Sequence, residues 1–492
     1  MTPPTQTPSR RSDMDLQSDD AGGQRWIARN RLPLIVSLAL LMQTTDATIL
    51  ATALPAISAK LGIPVLALKL AISSYLITLA ALVPLSGWIA DSFGPRRTFL
   101  IALTIFTAGS LFCAFQDSLA GLVAGRIIQG CGGALMVPVG RLIVVRSSKP
   151  DMLVRALSYV AMTALIGPAI GPLLGAALTA SLGWEYIFLV NVPIGIAAVI
   201  LARRFLPVGS DAPANNGAHR QRPGLERILL LSGGMVLLLF SLALLGDGLA
   251  PLPLVTFSGA SGVVLLSLYV ARFKLDHPRL LDISLLKIHS LRTAALGAFF
   301  IRTSAGGATF LLPLLFQIGF GLPILTSGAL SSVYAIGALT MRAGGPWLFD
   351  RFGFRPVLIT GSLISAASIA GFGFIVRVDY PQMIGLMLIG GIAQGIVFGG
   401  ANAMTFADVE KQDEASANTI SQLALQLAMT MGVSVAAMAA QLAGDPSINE
   451  APLAEHFPPA FHVLAAIGLL GALCFSRLSR REGSRLIHTT SE

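Results

Sequence analysis

Asp46 stands near the middle of a long apolar run, and it is the one acidic residue of the chain placed in that way. A charged carboxylate at the centre of a membrane span costs about 2.5–3.5 kcal/mol on insertion scales, so an acid kept there is a functional candidate by default. The chemistry it suits is proton exchange, because a carboxyl group shielded from water can take up and release a proton as its surroundings alternate. The plainer alternative is a side chain that hydrogen-bonds Thr44, Thr45 or Thr48 beside it. Arg126, inside the fourth apolar stretch, is a candidate counterpart. A guanidinium that approaches Asp46 and withdraws would switch its proton affinity. The alternative for Arg126 is snorkelling towards the nearer interface.

A second constellation is a pattern, Asp-x-x-Gly-x-Arg, that occurs twice: Asp91, Gly94 and Arg96, then Asp350, Gly353 and Arg355. Each copy is a short polar turn between two apolar stretches. Glycine permits the tight turn, and the charged pair can join across it or bond the end of a neighbouring helix. These residues read as a conformational latch, with a solvated turn as the bland alternative. Gly167, Pro168, Gly171, Pro172 and Gly175 recur at spacings of three and four in the fifth stretch. Such a stripe lets another helix pack closely while its prolines bend its own, which suits a hinge or a leak-tight seal. Arg302 lies about ten residues into the ninth stretch, where it could attract an anion or bond carbonyls of a broken helix. Gln317, Gln394, Asn402, Gln422 and Gln426 are polar candidates for a cavity wall, or equally for glue between helices.

The elements that must position these groups follow from composition. The chain has 492 residues, 54% hydrophobic and only 12% charged. A soluble domain carries about 25% charged residues, so the solvent for most of this surface must be lipid. Three cysteines, Cys113, Cys131 and Cys474, all fall in apolar stretches and imply neither disulfides nor a zinc site. No Gly-x-x-x-x-Gly-Lys-Ser/Thr loop and no metal-ligand cluster appears, so ATP hydrolysis and metal catalysis are not expected, and the chain is not read as an enzyme. The net charge of +9 follows a membrane topology rather than a nucleic-acid patch.

A helix crosses the hydrocarbon with about 20 apolar residues. On that criterion the chain has fourteen spans, from about 33–55 to about 461–476. With the N-terminus in the cytoplasm, 27 of the 34 Lys and Arg fall on the cytoplasmic side and three on the other (Lys60, Lys69 and Arg377). That asymmetry orients the chain by the positive-inside rule, with both termini cytoplasmic. The two turns are 259 residues apart, and Arg126-Ile-Ile-Gln129-Gly130 is echoed 265 residues later by Gly391-Ile-Ala-Gln394-Gly395. Parallel repeats of this kind mark transporters. The expected organisation is a disordered cytoplasmic tail (1–32), a six-helix half (33–204), a linker with two extra helices (205–275), a second six-helix half (276–480) and a short tail (481–492).

These motifs, with Asp46-Ala-Thr-Ile-Leu-Ala-Thr-Ala-Leu54-Pro55 in the first span, resemble the major facilitator superfamily. The resemblance is to its fourteen-helix drug:proton antiporter branch, the EmrB/QacA type. Ser86-Gly-Trp-Ile-Ala-Asp91 and Met136-Val-Pro-Val-Gly-Arg141 look like bacterial exporters of the MdtD/HsrA kind. The departures are small: Pro346 replaces the first glycine of the second turn, and Ala176 follows Gly175. The resemblance implies an all-α integral membrane protein of the major facilitator fold. It implies proton coupling at Asp46 and Arg126, an exporter motif in the fifth span, and alternating access at the bacterial inner membrane. The implied function is proton-driven export of small organic molecules, of the multidrug efflux type, with no cofactor beyond the proton gradient. The alternative that stays open is transport of an anionic metabolite, such as an organic acid or its metal complex. The expected partners are a small-molecule substrate and the lipid bilayer, with no nucleic acid; a periplasmic adaptor and an outer-membrane channel are left undetermined.

Overall fold

In lipid every backbone N–H and C=O must be satisfied within the chain, so apolar runs of this length fold as helices. The computed structural model describes residues 10–148, 150–206, 224–245, 250–273, 283–410, 413–444, 456–479 and 482. The first half comprises α1 (Arg10–Leu61), α2 (Lys69–Leu82), α3 (Ser86–Phe93), α4 (Pro95–Ala114), α5 (Leu119–Ser147), α6 (Pro150–Ser181), α7 (Tyr186–Leu189) and α8 (Asn191–Phe205). Between the halves lie α9 (Leu225–Ile228), α10 (Gly234–Leu245) and α11 (Leu252–Phe273). The second half comprises α12 (His289–Leu314), α13 (Ile324–Phe352), α14 (Phe354–Phe372), α15 (Tyr380–Phe406), α16 (Glu414–Leu442) and α17 (Pro458–Phe475).

Among the described residues thirteen helical segments are long and apolar enough to cross a bilayer, and α6 adds a shorter apolar run over Ile166–Ser181. Together they make the fourteen expected spans. Prolines explain the internal breaks. Pro84 lies in a 3-10 turn, Val83–Leu85, that separates α2 from α3 within the second span. Pro193 lacks the N–H that would bond Leu189, and the sixth span divides between α7 and α8 at that level. Past Pro313, α12 loosens into a π-helical turn over Leu315–Gly319.

The backbone of α1 is helical from Arg10, continuous with the first span. The short C-terminal tail lies outside the described residues except for Glu482, whose carboxylate is 2.8 Å from His289 Nδ1.

Both duplicated turns have the same build. Gly94 and Gly353 adopt φ of 85° and 78°, and each closes one helix while opening the next. This left-handed conformation favours glycine, which explains the shared residue.

The apolar cores show how the halves meet. On the face opposite the turns one cluster joins them, with Ile49, Leu54 and Phe188 from the first half beside Phe310, Leu330 and Ala436 from the second. On the turn face each half keeps its own cluster, around Phe99 and Met136 in one and around Phe354 and Met404 in the other. The inserted helices pack on the α2–α16 seam at that face, where Leu231 and Leu239 meet Ala80 and Ile420. Ser232 Oγ also donates to the Ala81 carbonyl at 2.7 Å. The halves thus share one core at the face away from the turns, whereas at the turn face each keeps a core of its own and they meet along the α2–α16 seam.

Candidate functional site

Asp46 is 1% exposed, midway along the membrane portion of α1. Three donors converge on its carboxylate. Arg126 of α5 donates from Nη1 to Oδ2 at 2.6 Å, while Gln129 Nε2 and Asn191 Nδ2 each donate to Oδ1 at 3.0 Å. A further layer holds these donors. Gln129 Nε2 and Asn191 Nδ2 lie 2.5 and 3.3 Å from Ser110 Oγ on α4. Arg126 donates through Nη1 to Gln129 Oε1 at 2.9 Å and through Nε to the Ala71 carbonyl at 3.3 Å. Its guanidinium also lies over the Tyr75 ring, 4.3 Å from the centroid. Arg126, Gln129, Ser110, Asn191 and Tyr75 are all buried. Four helices besides α1 therefore build one carboxylate site wholly inside the first half.

Local sequence permits this convergence. Arg126 and Gln129 are three residues apart on α5 and so share a face. Gly109 lets α4 approach that face, since a Cβ there would stand 2.7 Å from the Gln129 backbone nitrogen. The pairing of Asp46 with Arg126 was expected. Gln129 was noticed as part of a motif but given no role, and Ser110 and Asn191 were missed. Their signal was the one that marked Asp46: an isolated polar side chain inside an apolar run.

The stripe of α6 lies directly on this part of α1. Cβ atoms at Gly167, Gly171 and Gly175 would fall 2.0, 2.1 and 2.6 Å from the Oγ1 atoms of Thr44, Thr48 and Thr52. Glycine is the residue that admits such contact. Another face of α6 crosses to the second half, where a Cβ on Gly328 of α13 would meet Pro172 O at 2.6 Å and Ala176 Cβ at 2.4 Å. Pro168 is half-buried. Gln317, expected on a cavity wall, lies in the same closed seam and donates to the Thr52 carbonyl at 3.0 Å and to Ser327 Oγ at 3.3 Å.

In the second half, Arg302 is 5% exposed and donates from Nη2 to Asn402 Oδ1 at 2.8 Å. Its guanidinium stands 4.8 Å from the Phe398 ring centroid. Gln394 accepts from Ser365 Oγ at 3.4 Å. Gln422 and Gln426 are half-buried on α16, and Gln426 Oε1 has no hydrogen-bond partner among the described residues. Lys69, counted from sequence with the outer charges, is fully buried at the start of α2. The buried charged residues among those described are therefore one acid, Asp46, and three bases, Lys69, Arg126 and Arg302.

The first turn is tied to its own half. Asp91 accepts from Arg146 Nη2 at 3.0 Å, and Arg96 donates to the Arg203 carbonyl at 2.8 Å. Arg203 is in the last turn of α8, so Arg96 meets the negative end of that helix dipole. Asp350 is exposed and Arg355 half-buried.

Two helical halves in one membrane chain, sharing a core on one face and keeping separate cores on the other, with charges buried inside each half, define a multi-pass membrane transporter rather than an enzyme. The model of the Major Facilitator Superfamily matches residues 36–286 and 294–491, and the chain belongs to that family. Among relatives, MdtD of Citrobacter koseri, a protein assigned to multidrug resistance, is 32% identical over 451 residues, covering 90% of this chain and 93% of its own. MdtD of Klebsiella pneumoniae is 33% identical over 457 residues, covering 92% and 95%. Among solved structures, the peptide transporter POT superposes with a TM-score of 0.70 at 14% identity, covering 92% of this chain and 95% of that one. A D-xylose–proton symporter gives 0.66 at 14% identity, covering 92% and 98%. These two likenesses concern the fold.

Proposed function

We propose that the chain exports small organic molecules from the bacterial cytoplasm in exchange for protons, as a multidrug efflux transporter of the EmrB/QacA branch. The observation that carries this reading is the Asp46 site: a buried carboxylate whose one charged partner, Arg126, sits on a different helix. Movement of α5 against α1 would break that contact and change what Asp46 does with a proton. Residue by residue, Asp46 and Arg126 couple transport to protons. Arg302, Gln394, Asn402, Gln422 and Gln426 contact substrate, while Gln317 closes the seam. The proton gradient supplies the energy and no cofactor is required. The turn face is cytoplasmic, with both termini there, and the membrane is the bacterial inner membrane.

On this assignment the structure is an inward-facing state. Substrate enters between the parted turn-face clusters, and the seam made by Gly328, Pro172, Ala176 and Gln317 holds the outer side shut. Opening that seam requires α6 to shift, and α6 rests on the Thr44–Thr52 face of α1 that flanks Asp46. The Gly167–Gly175 motif thus links the proton site to the outer gate. The turns around Asp91, Gly94 and Arg96 and around Asp350, Gly353 and Arg355 act as latches that must rearrange when the cytoplasmic side closes.

The test is proton release in everted, respiring vesicles, followed with a pH-sensitive dye as lipophilic cations, neutral drugs and organic acids are added in turn. Antiport predicts a response with wild type that Asp46→Asn abolishes while the variant stays in the membrane. A full response from Asp46→Asn removes this carboxylate from coupling. A second reading, transport of an anionic metabolite, is favoured by the excess of buried bases over acids.

A further inference from the structure

We propose that Arg302 is the seat of a carboxylate on the transported molecule, held between α12 and α15, so that the chain carries amphipathic organic anions. The inference rests on the transporter reading above and names its substrate class.

Arg302 and Arg126 are both buried, yet they are compensated very differently. Arg126 has the Asp46 carboxylate, two other acceptors and an aromatic face. Arg302 has one neutral acceptor, Asn402 Oδ1, and the Phe398 ring. Its Nε is buried with no hydrogen-bond partner, and no carboxylate among the described residues pairs with it. A guanidinium presents five N–H donors in a planar fork that matches a carboxylate in two parallel bonds. A ligand carboxylate would supply both the missing acceptors and the missing charge.

The surroundings suit the rest of such a ligand. Gln394, Phe398 and Asn402 recur every four residues along α15, which places them on one face. Phe398 remains 38% exposed, an apolar surface beside the cation. The repeat gives the site its place in the fold. Arg302 stands 256 positions after Asp46, close to the 259-residue offset between the two turns. The first helix of each half therefore carries an ionisable residue near mid-height, an acid in one and a base in the other. The acid has a charged partner within its own half, and among the described residues the base has only neutral ones. Mid-height in a 31-residue span, His289–Gly319, also sets Arg302 well away from lipid headgroups.

The test uses the full-length chain in detergent, titrated calorimetrically with benzoate, and with benzyl alcohol and benzylamine as neutral and cationic counterparts. Wild type is expected to bind benzoate at least tenfold more tightly than either counterpart. Arg302→Gln should lose that preference, and Arg302→Lys should keep part of it. Equal binding of benzoate and benzyl alcohol to wild type, or an undiminished preference in Arg302→Gln, overturns the proposal. A second measurement separates binding from folding: the unfolding midpoint of ligand-free Arg302→Gln is expected at or above that of wild type, because an uncompensated charge has been removed. A lower midpoint would make Arg302 a brace for Asn402 and sink the proposal. The titration needs no proton gradient. Silent vesicles with an intact benzoate preference would therefore refute proton-driven export alone, and active vesicles without the preference would refute the carboxylate seat alone.

Discussion

Asp46 and Arg126 can be tested as a pair by a double-mutant cycle with Asp46→Asn, Arg126→Gln and the double variant. Arg126→Gln leaves a carboxylate that is 1% exposed with two neutral donors, Gln129 and Asn191, and no counter-charge. Asp46→Asn leaves a buried guanidinium with neutral acceptors, among them the Gln129 side chain and the Ala71 carbonyl, and no counter-charge. Breaking one side of a buried pair costs about 3–5 kcal/mol, whereas removing both charges is often close to neutral. The two singles should therefore each be severely destabilised and the double largely restored, with a coupling energy on the order of 3 kcal/mol. Equilibrium unfolding in mixed micelles reads the energies, and proton release in everted vesicles reads the function. The double variant is expected to recover stability but not proton coupling. Additive losses, with coupling below about 0.5 kcal/mol, would refute the ion pair as a feature of the resting state. Full proton-coupled transport by the double variant would refute its role in mechanism.

Other outcomes follow from the same geometry. Asn191→Ala removes one donor to a buried carboxylate and should cost about 1.5–3 kcal/mol in the same unfolding assay, as for other hydrogen bonds to charged groups; a loss within error would show that Asn191 does not support Asp46. Gly175→Ala places a methyl 2.6 Å from the Ile49 carbonyl, so it should destabilise by about 1–3 kcal/mol and depress export without blocking membrane insertion. Unchanged export by this variant would mean that α1 and α6 do not need their close contact. Gly328→Leu should wedge α13 from α6 and raise the labelling of a Thr52→Cys reporter from the periplasmic side. Labelling no faster than in the parent would contradict the seam.

Sequence alone determined the fold class and marked the candidate site residues. Lipid allows a spanning chain few architectures, so apolar runs of about 20 residues read directly as helices, and duplicated turns read as repeated halves. Isolated charge is costly in that medium, which is why Asp46, Arg126 and Arg302 stood out by type and place. The same logic had less power over uncharged groups. Ser110, Gln129 and Asn191 are cheap enough to occur anywhere in a bundle, and only their convergence on Asp46 gives them a role. The burial of Lys69 was likewise not legible, because a lysine near a span end ordinarily snorkels to water, whereas here neighbouring helices cover it.

Tertiary structure alone decided which faces of the helices meet. A helix with polar or small residues on several sides does not state which neighbour each side will touch. Thus the α6 motif proved to serve two contacts, its glycines against α1 and its Pro172–Ala176 edge against α13. Helix α10 proved to cover the α2–α16 seam, a role with no trace in its almost uniformly apolar sequence. The state of the transporter is likewise a property of packing between the halves. One sequence must support both the closed and the parted arrangement, so periodicity along the chain carries no record of which one is formed. That information lies in contacts between residues far apart in sequence, such as Gln317 with Thr52 and Gly328 with Pro172.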